Sequence, residues 1–282
     1  MAVAAPANYL EKLGYEVSYV SCDSSGVVHP EAIQAVIRSD TRLISVMHAN
    51  NEIGTIQPIR KISELCQQHN ILLHTDAAQS AGKIPTMVDE LGVDLLTIAG
   101  HKLYAPKGIG ALYIREGVSV DPVVHGAGHE NGIRPGTENV PYIVALGQAS
   151  KMAAKAAETH RDRLSELRDR LADELTGGID GPLIINGRQA PRLPNTLSVI
   201  FPDVDANEML LRVPELCAST GAACHSDSDS YSPTLKSIGL SAEEAVGTVR
   251  LSVGWYTNDE EIEKAANLLI DAWENTARTP LG

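Results

Sequence analysis

The residues of this chain best suited to chemistry stand in three short runs, each behind an apolar stretch. Asn50, Asn51 and Glu52 lie in "HANNEIG"; His74, Asp76 and Gln79 lie in "ILLHTDAAQS"; His101 and Lys102 lie in "LLTIAGHK". Open α/β sheets bind ligands beyond the carboxyl ends of their strands, so unlike polar groups at successive strand ends are a candidate site. Pyridoxal phosphate chemistry needs a lysine for the Schiff base, a carboxylate to keep the pyridine nitrogen protonated, and donors for the phenolic oxygen. Lys102, Asp76 and Gln79 fill those places in that order. Taken singly, each has a plainer reading: Asp76 as a helix cap, Asn50 and Asn51 as turn formers, Lys102 as a solvated surface charge.

Two more candidates lie later in the chain. Cys224 sits in "CASTGAACHSDSDSYSPT", a small, polar stretch that reads as a loop exposing a thiol, whereas Cys217 closes "EMLLRVPELC" with the surroundings of a core residue. Arg250 lies inside the apolar strand pattern "AVGTVRLSVG". A guanidinium there must be paired or must bind an anion, and a substrate carboxylate is one such partner. A metal-dependent hydrolase is a different reading, with His74, Asp76, His101, His125 and His129 as nitrogen and oxygen ligands. Its spacing is unspecific, and it leaves Lys102, Cys224 and Arg250 idle.

Positioning such groups falls to the elements around them. Residues 16–22 ("EVSYVSC"), 42–49 ("RLISVMHA"), 71–78 ("ILLHTDAA"), 95–100 ("LLTIAG") and 110–115 ("GALYIR") read as strands, while 29–38 and 58–69 read as helices. That alternation predicts an α/β fold, a mainly parallel sheet with helices on both faces. A different texture begins near residue 150. "ETHRDRLSELRDRLADELTGG" places Leu164, Leu167, Leu171 and Leu175 on one helix face, with Gly177 as a stop. The strand "RLPNTLSVIFP" then opens a smaller α+β unit, and Thr257 and Glu260 have capping-box spacing before a last helix. The expected division is a large domain, 1–155, and a small C-terminal domain, 156–282.

With 282 residues and 43% hydrophobic composition the chain can bury a sizeable core, and a formal charge of −13 argues against a nucleic-acid-binding surface. Four dispersed cysteines, Cys22, Cys66, Cys217 and Cys224, suit a reducing compartment. No signal peptide and no apolar run of membrane-spanning length is evident, so the expectation is a cytoplasmic protein without a membrane partner.

Six motifs in order, "HTDAAQSAGK", "GHKLYAPKGIGALYIR", "HGAGHENGIRPGTEN", "RLPNTLSV", "STGAACHSD" and "VRLSVG", resemble the NifS/IscS-like cysteine desulfurases and selenocysteine lyases, class V, fold-type I pyridoxal phosphate enzymes. The resemblance runs over nearly the whole chain. It implies a desulfurase or lyase that takes sulfur or selenium from L-cysteine or L-selenocysteine, releases L-alanine and holds the chalcogen as a persulfide on Cys224. Lys102 would bind the cofactor and move protons, Asp76 would pair with the pyridine nitrogen, and Gln79 would contact the phenolic oxygen. Asn51 would touch cofactor and substrate, and His101 would lie near the phosphate. Thr137 would reach the phosphate of the partner subunit in a homodimer, and Arg250 would hold the substrate carboxylate. A sulfur or selenium acceptor protein, as in iron–sulfur cluster assembly, is the implied partner.

The pattern also has gaps. Family members carry about a hundred further residues ahead of the match to Met1, including a phosphate-binding segment at a helix N-terminus and a histidine that stacks on the cofactor ring. Neither is found here. Ala99 stands where many relatives have serine, and Trp255 where they often have arginine. The expectation is a piece of a longer product, the alternative a catalytically impaired relative that acts as a non-catalytic dimerisation or sulfur-carrier-binding protein.

Overall fold

A computed structural model describes residues 2–221 and 231–277. The chain forms two compact units, one of Arg38–His48 and Ile59–Thr159, the other of Met1–Ile37, Ala49–Pro58 and His160–Gly282. These are not consecutive halves. Residues 49–58 leave the first unit between a strand and the helix that follows it, and pack with the C-terminal part of the chain.

In the first unit, β1 (Leu43–Met47), β2 (Leu72–Asp76), β3 (Leu95–Ala99) and β4 (Gly110–Ile114) form one sheet in that order. β1, β2 and β3 run parallel, and β4 is antiparallel to β3. The helix Ile59–His69 buries Ile59, Ile62, Leu65 and Cys66 and packs against β2, whose Leu73 and Thr75 are fully buried. Register puts Met47, Asp76, Thr97 and Leu112 side by side on the opposite face, where Leu43, Met47 and Leu112 stay exposed. The helix Val140–Thr159 buries a stripe of Leu146, Ala149, Ala153 and Ala156. It presses on the turn after β2 at Gly82, where a Cβ would lie 2.7 Å from that of Ala153 and 3.0 Å from Leu103 Cδ2. Gly82 has φ +74°, so a side chain there would be strained as well as crowded.

The second unit carries β5 (Ile184–Ile185), β6 (Thr196–Ile200), β7 (Ser219–Thr220) and β8 (Thr248–Ser252), antiparallel in the order β5-β6-β8-β7. Helices Arg161–Gly178 and Asp259–Ala277 cover it. Leu164, Leu167, Leu171 and Leu175 form a buried stripe that packs with Leu197, Val199, Phe201, Leu251 and Leu269 in one cluster. Each buried leucine of this kind stabilises the fold by roughly 1.5–3 kcal/mol relative to exposure.

Several expectations need correction. Residues 16–22 alternate like a strand but join no ladder among the described residues. The helix expected over 29–38 is only Pro30–Gln34, because β-branched Val36 and Ile37 follow and Arg38 N is captured by Thr41 Oγ1 at 2.9 Å. The cap of the last helix slips one residue. Thr257 Oγ1 accepts from Gly254 N, and Asn258 and Glu261 make the reciprocal pair at 2.9 and 3.0 Å. Cys217 is exposed, not a core residue, because the apolar helix ends at Leu211 and Pro214 turns the chain before the cysteine.

Candidate active site

Asp76 is the last residue of β2, half-buried, and its Oδ1 accepts from Ala78 N at 2.9 Å in the turn that follows. Its Oδ2 has no hydrogen bond among the described residues, so one lone-pair oxygen stays available to a cationic N–H. His101 and Lys102 are exposed in the single 3₁₀ turn Gly100–Leu103 directly after β3, the neighbour of β2. Burial of Leu103 at 4% exposure pins that turn from below and leaves the adjacent amine outward. Gln79 lies in the turn after Asp76. Asp76, Gln79, His101 and Lys102 thus share one end of one sheet, as their spacing predicts.

Two neighbours were not singled out by sequence reasoning for what they do. His74 shares the Asp76 face of β2 and ties three strands, with Nδ1 2.7 Å from Ser45 Oγ and Nε2 2.9 Å from Thr97 Oγ1. Burial pushes its pKa below the usual histidine value, against the opposing charge of Asp76. Lys83 donates from Nζ to Gln79 O at 2.7 Å. Burial, and then the like charge of Lys102, push the Lys83 amine down to about 8. Its only sequence signal is a second lysine four positions beyond Gln79 in "AAQSAGK".

The metal reading fails on placement. His74 is committed to two hydroxyls, His129 Nδ1 accepts from Gly136 N at 3.3 Å, and no group of three or more His, Cys, Asp or Glu residues suited to a metal ion exists among the described residues. Thr137 is exposed in the irregular stretch before the helix Val140–Thr159.

In the second unit, Arg250 on β8 is half-buried and divided between two partners. Nη1 donates to Asn51 O and Nη2 to Ser219 Oγ, both at 3.0 Å. Asn51 itself is exposed, next to an Asx turn in which Asn50 Oδ1 accepts from Glu52 N and Ile53 N. Cys224 lies outside the described residues.

The donor set fits the cofactor that the sequence implies: an outward amine and a carboxylate with an unshared oxygen at the ends of adjacent parallel strands. No helix among the described residues is long and apolar enough to cross a membrane.

Comparison with known proteins agrees. Residues 1–265 match the family model for class-V aminotransferases. A cysteine desulfurase IscS of Dictyoglomus turgidum is 43% identical over 270 residues, covering 95% of this chain and 68% of the relative. Cysteine desulfurase IscS 1 of Archaeoglobus fulgidus is 43% identical over 271 residues, 95% of this chain and 70% of that protein. Among solved structures, a NifS-like protein superposes with TM-score 0.88 at 33% identity over 97% of this chain and 72% of its own. A structure titled SspA in complex with cysteine gives TM-score 0.75 at 34% identity over 91% and 71%. The chain belongs to the class-V aminotransferase family, among the pyridoxal phosphate-dependent cysteine desulfurases.

Proposed function

We propose that this chain acts as a cysteine desulfurase or selenocysteine lyase, taking sulfur or selenium from L-cysteine or L-selenocysteine, releasing L-alanine and holding the chalcogen on Cys224 for an acceptor protein. The observation that carries the reading is the outward Lys102 amine one strand away from the unshared Asp76 oxygen. The relative solved with cysteine supports the choice of substrate.

Pyridoxal phosphate, when bound, supplies an electron sink for the carbanion at the substrate carbon. Lys102 Nζ would hold the cofactor and then take and return the proton at that carbon. Asp76 Oδ2 would accept from the pyridine N–H and keep the proton there, Gln79 would donate to the phenolic oxygen, and His101 would lie near the phosphate. Asn51 contacts cofactor and substrate. Arg250 offers its remaining N–H groups to the substrate carboxylate, a planar anion that its fork matches. The Cys224 thiolate attacks the substrate sulfur, so that an S–S bond forms as the C–S bond breaks and its electron pair returns to carbon, which is protonated.

The same reading makes the protein a cytoplasmic homodimer in which Thr137 serves the partner's phosphate. The exposed run of Val140, Tyr142, Ile143 and Val144 supplies an apolar surface for that contact. The domains of the reading are the cofactor-binding 1–155 and the smaller 156–282.

Borohydride reduction of the cofactor-loaded chain, followed by peptide mass spectrometry, tests the assignment. The cofactor is expected on Lys102 and lost in Lys102→Ala. Attachment at Lys83 instead, or loaded protein with no adduct at Lys102, would refute it. A chain that binds cofactor without releasing alanine from cysteine would support the non-catalytic alternative.

A further inference from the structure

The dipeptide Asn51–Glu52 is linked to both ends of the segment that carries Cys224, to one through Arg250 and to the other directly. On the entry side, the Asn51 carbonyl holds Arg250, whose other arm holds Ser219. On the return side, the Glu52 carboxylate accepts from Ser232 Oγ and, at 2.9 Å, from Thr234 Oγ1. The two ends meet each other as well, because Ser232 N donates to Gly221 O at 3.1 Å and Gly221 N to Thr248 O at 2.8 Å. Gly221 leaves no room for a side chain, since a Cβ would lie 2.5 Å from Leu235 Cδ1.

The bracket itself is rigid. Ile53, next to Glu52, is fully buried against Leu235, Ile238 and Ala245, and Asn50 Oδ1 fixes the Glu52 amide at 2.8 Å. A carboxylate that accepts two hydroxyl bonds in a half-buried place makes charge-assisted contacts, about twice as strong as neutral ones. A solvated glutamate has no need of such partners.

We propose that Glu52 is a positioning residue for sulfur transfer, fixing through Ser232 and Thr234 the point at which the chain re-enters the fold beyond Cys224. The proposal rests on the reading of Cys224 as the sulfur acceptor. Connectivity ties the reach of that thiol to where Gly221 and Ser232 are held, and small misplacements of a reacting group cost large factors in rate. The adjacent Arg250 puts the substrate carboxylate on the same bracket, so that substrate and thiol share one reference frame.

The test uses Glu52→Ala, Glu52→Gln and Thr234→Val in the full chain. Persulfide formation on Cys224, followed by mass spectrometry in cofactor-loaded protein, is expected to slow about tenfold in Glu52→Ala, with KM for cysteine changed by less than about twofold. Glu52→Gln should recover part of the rate, since its single amide oxygen can accept one of the two hydroxyls. Thr234→Val should lose less than Glu52→Ala and add nothing in its background. In cofactor-free protein, hydrogen exchange at the Gly221 and Ser232 amides should rise in Glu52→Ala. An unchanged persulfide rate, an effect confined to KM, or unchanged exchange at both amides would overturn the proposal. Retained persulfide turnover in Cys224→Ser would instead overturn the reading beneath it. Should Glu52→Ala fail to fold, Thr234→Val, which removes one hydroxyl, carries the test.

Discussion

Acidification is expected to weaken the end of β1 through His48. This imidazole is 4% exposed, its Nδ1 has no hydrogen-bond partner among the described residues, and burial pushes its pKa from 6.5 down to about 4. Its backbone N–H donates to the Asp76 main-chain carbonyl at 2.8 Å, so the residue is tied to the strand end that carries the candidate site. Between those two pKa values the unfolded chain binds a proton that the folded chain refuses. Stability therefore falls as pH drops through about 6.5 and keeps falling to about 4, below which the loss is complete. At about 1.4 kcal/mol per pKa unit the full cost is roughly 3 kcal/mol. His74, also pushed down by burial, adds to the loss in the same direction. Urea unfolding of the parent and of His48→Gln, at steps from about pH 7 to about pH 4.5, isolates the His48 share because the carboxylates titrate in both proteins. The parent should lose stability relative to the variant by more than about 2 kcal/mol across that range. A parent-minus-variant difference that stays flat with pH would refute the argument from burial.

Two other substitutions probe the second unit. Arg250→Lys removes the planar fork that spans Asn51 O and Ser219 Oγ, and steady-state kinetics should show KM for cysteine raised about tenfold or more. Leu175→Ala, at a fully buried position in the helix stripe, should cost about 2–5 kcal/mol in denaturant unfolding without altering the reduced-adduct pattern at Lys102.

Much of the scaffold was readable because local pattern and tertiary role coincide. β1, β2 and β3 are short, mainly apolar runs closed by turn residues, and the stripe Leu164, Leu167, Leu171 and Leu175 needs only helical spacing to be seen. What escaped depends on distant partners. Residues 16–22 have strand-like alternation, but alternation alone makes no ladder. Cys217 follows an apolar run whose helix has already ended. Nothing local shows that residues 49–58 belong with the C-terminal part, because that follows from Ile53 sinking between Leu235 and Ala245. Lys102, Asp76 and Glu52 all stood out at strand ends, but what Glu52 binds did not, because its hydroxyl partners on Ser232 and Thr234 lie far away in sequence.

The closure between Gly221 and Ser232 also bears on how such a protein diversifies. Because the chain leaves and re-enters at points joined by their own backbone hydrogen bond, the stretch between them is a cassette. Lengthening it would leave β7 and the helix Pro233–Ser237 where they are, and doubling a loop adds only about 0.6 kcal/mol of closure entropy. The length of that stretch can therefore change while the sheet end that carries Asp76 and Lys102 keeps its own sequence. A graft must keep glycine at 221, where a Cβ would lie 2.5 Å from Leu235 Cδ1, and the Ser232 and Thr234 hydroxyls that bond Glu52.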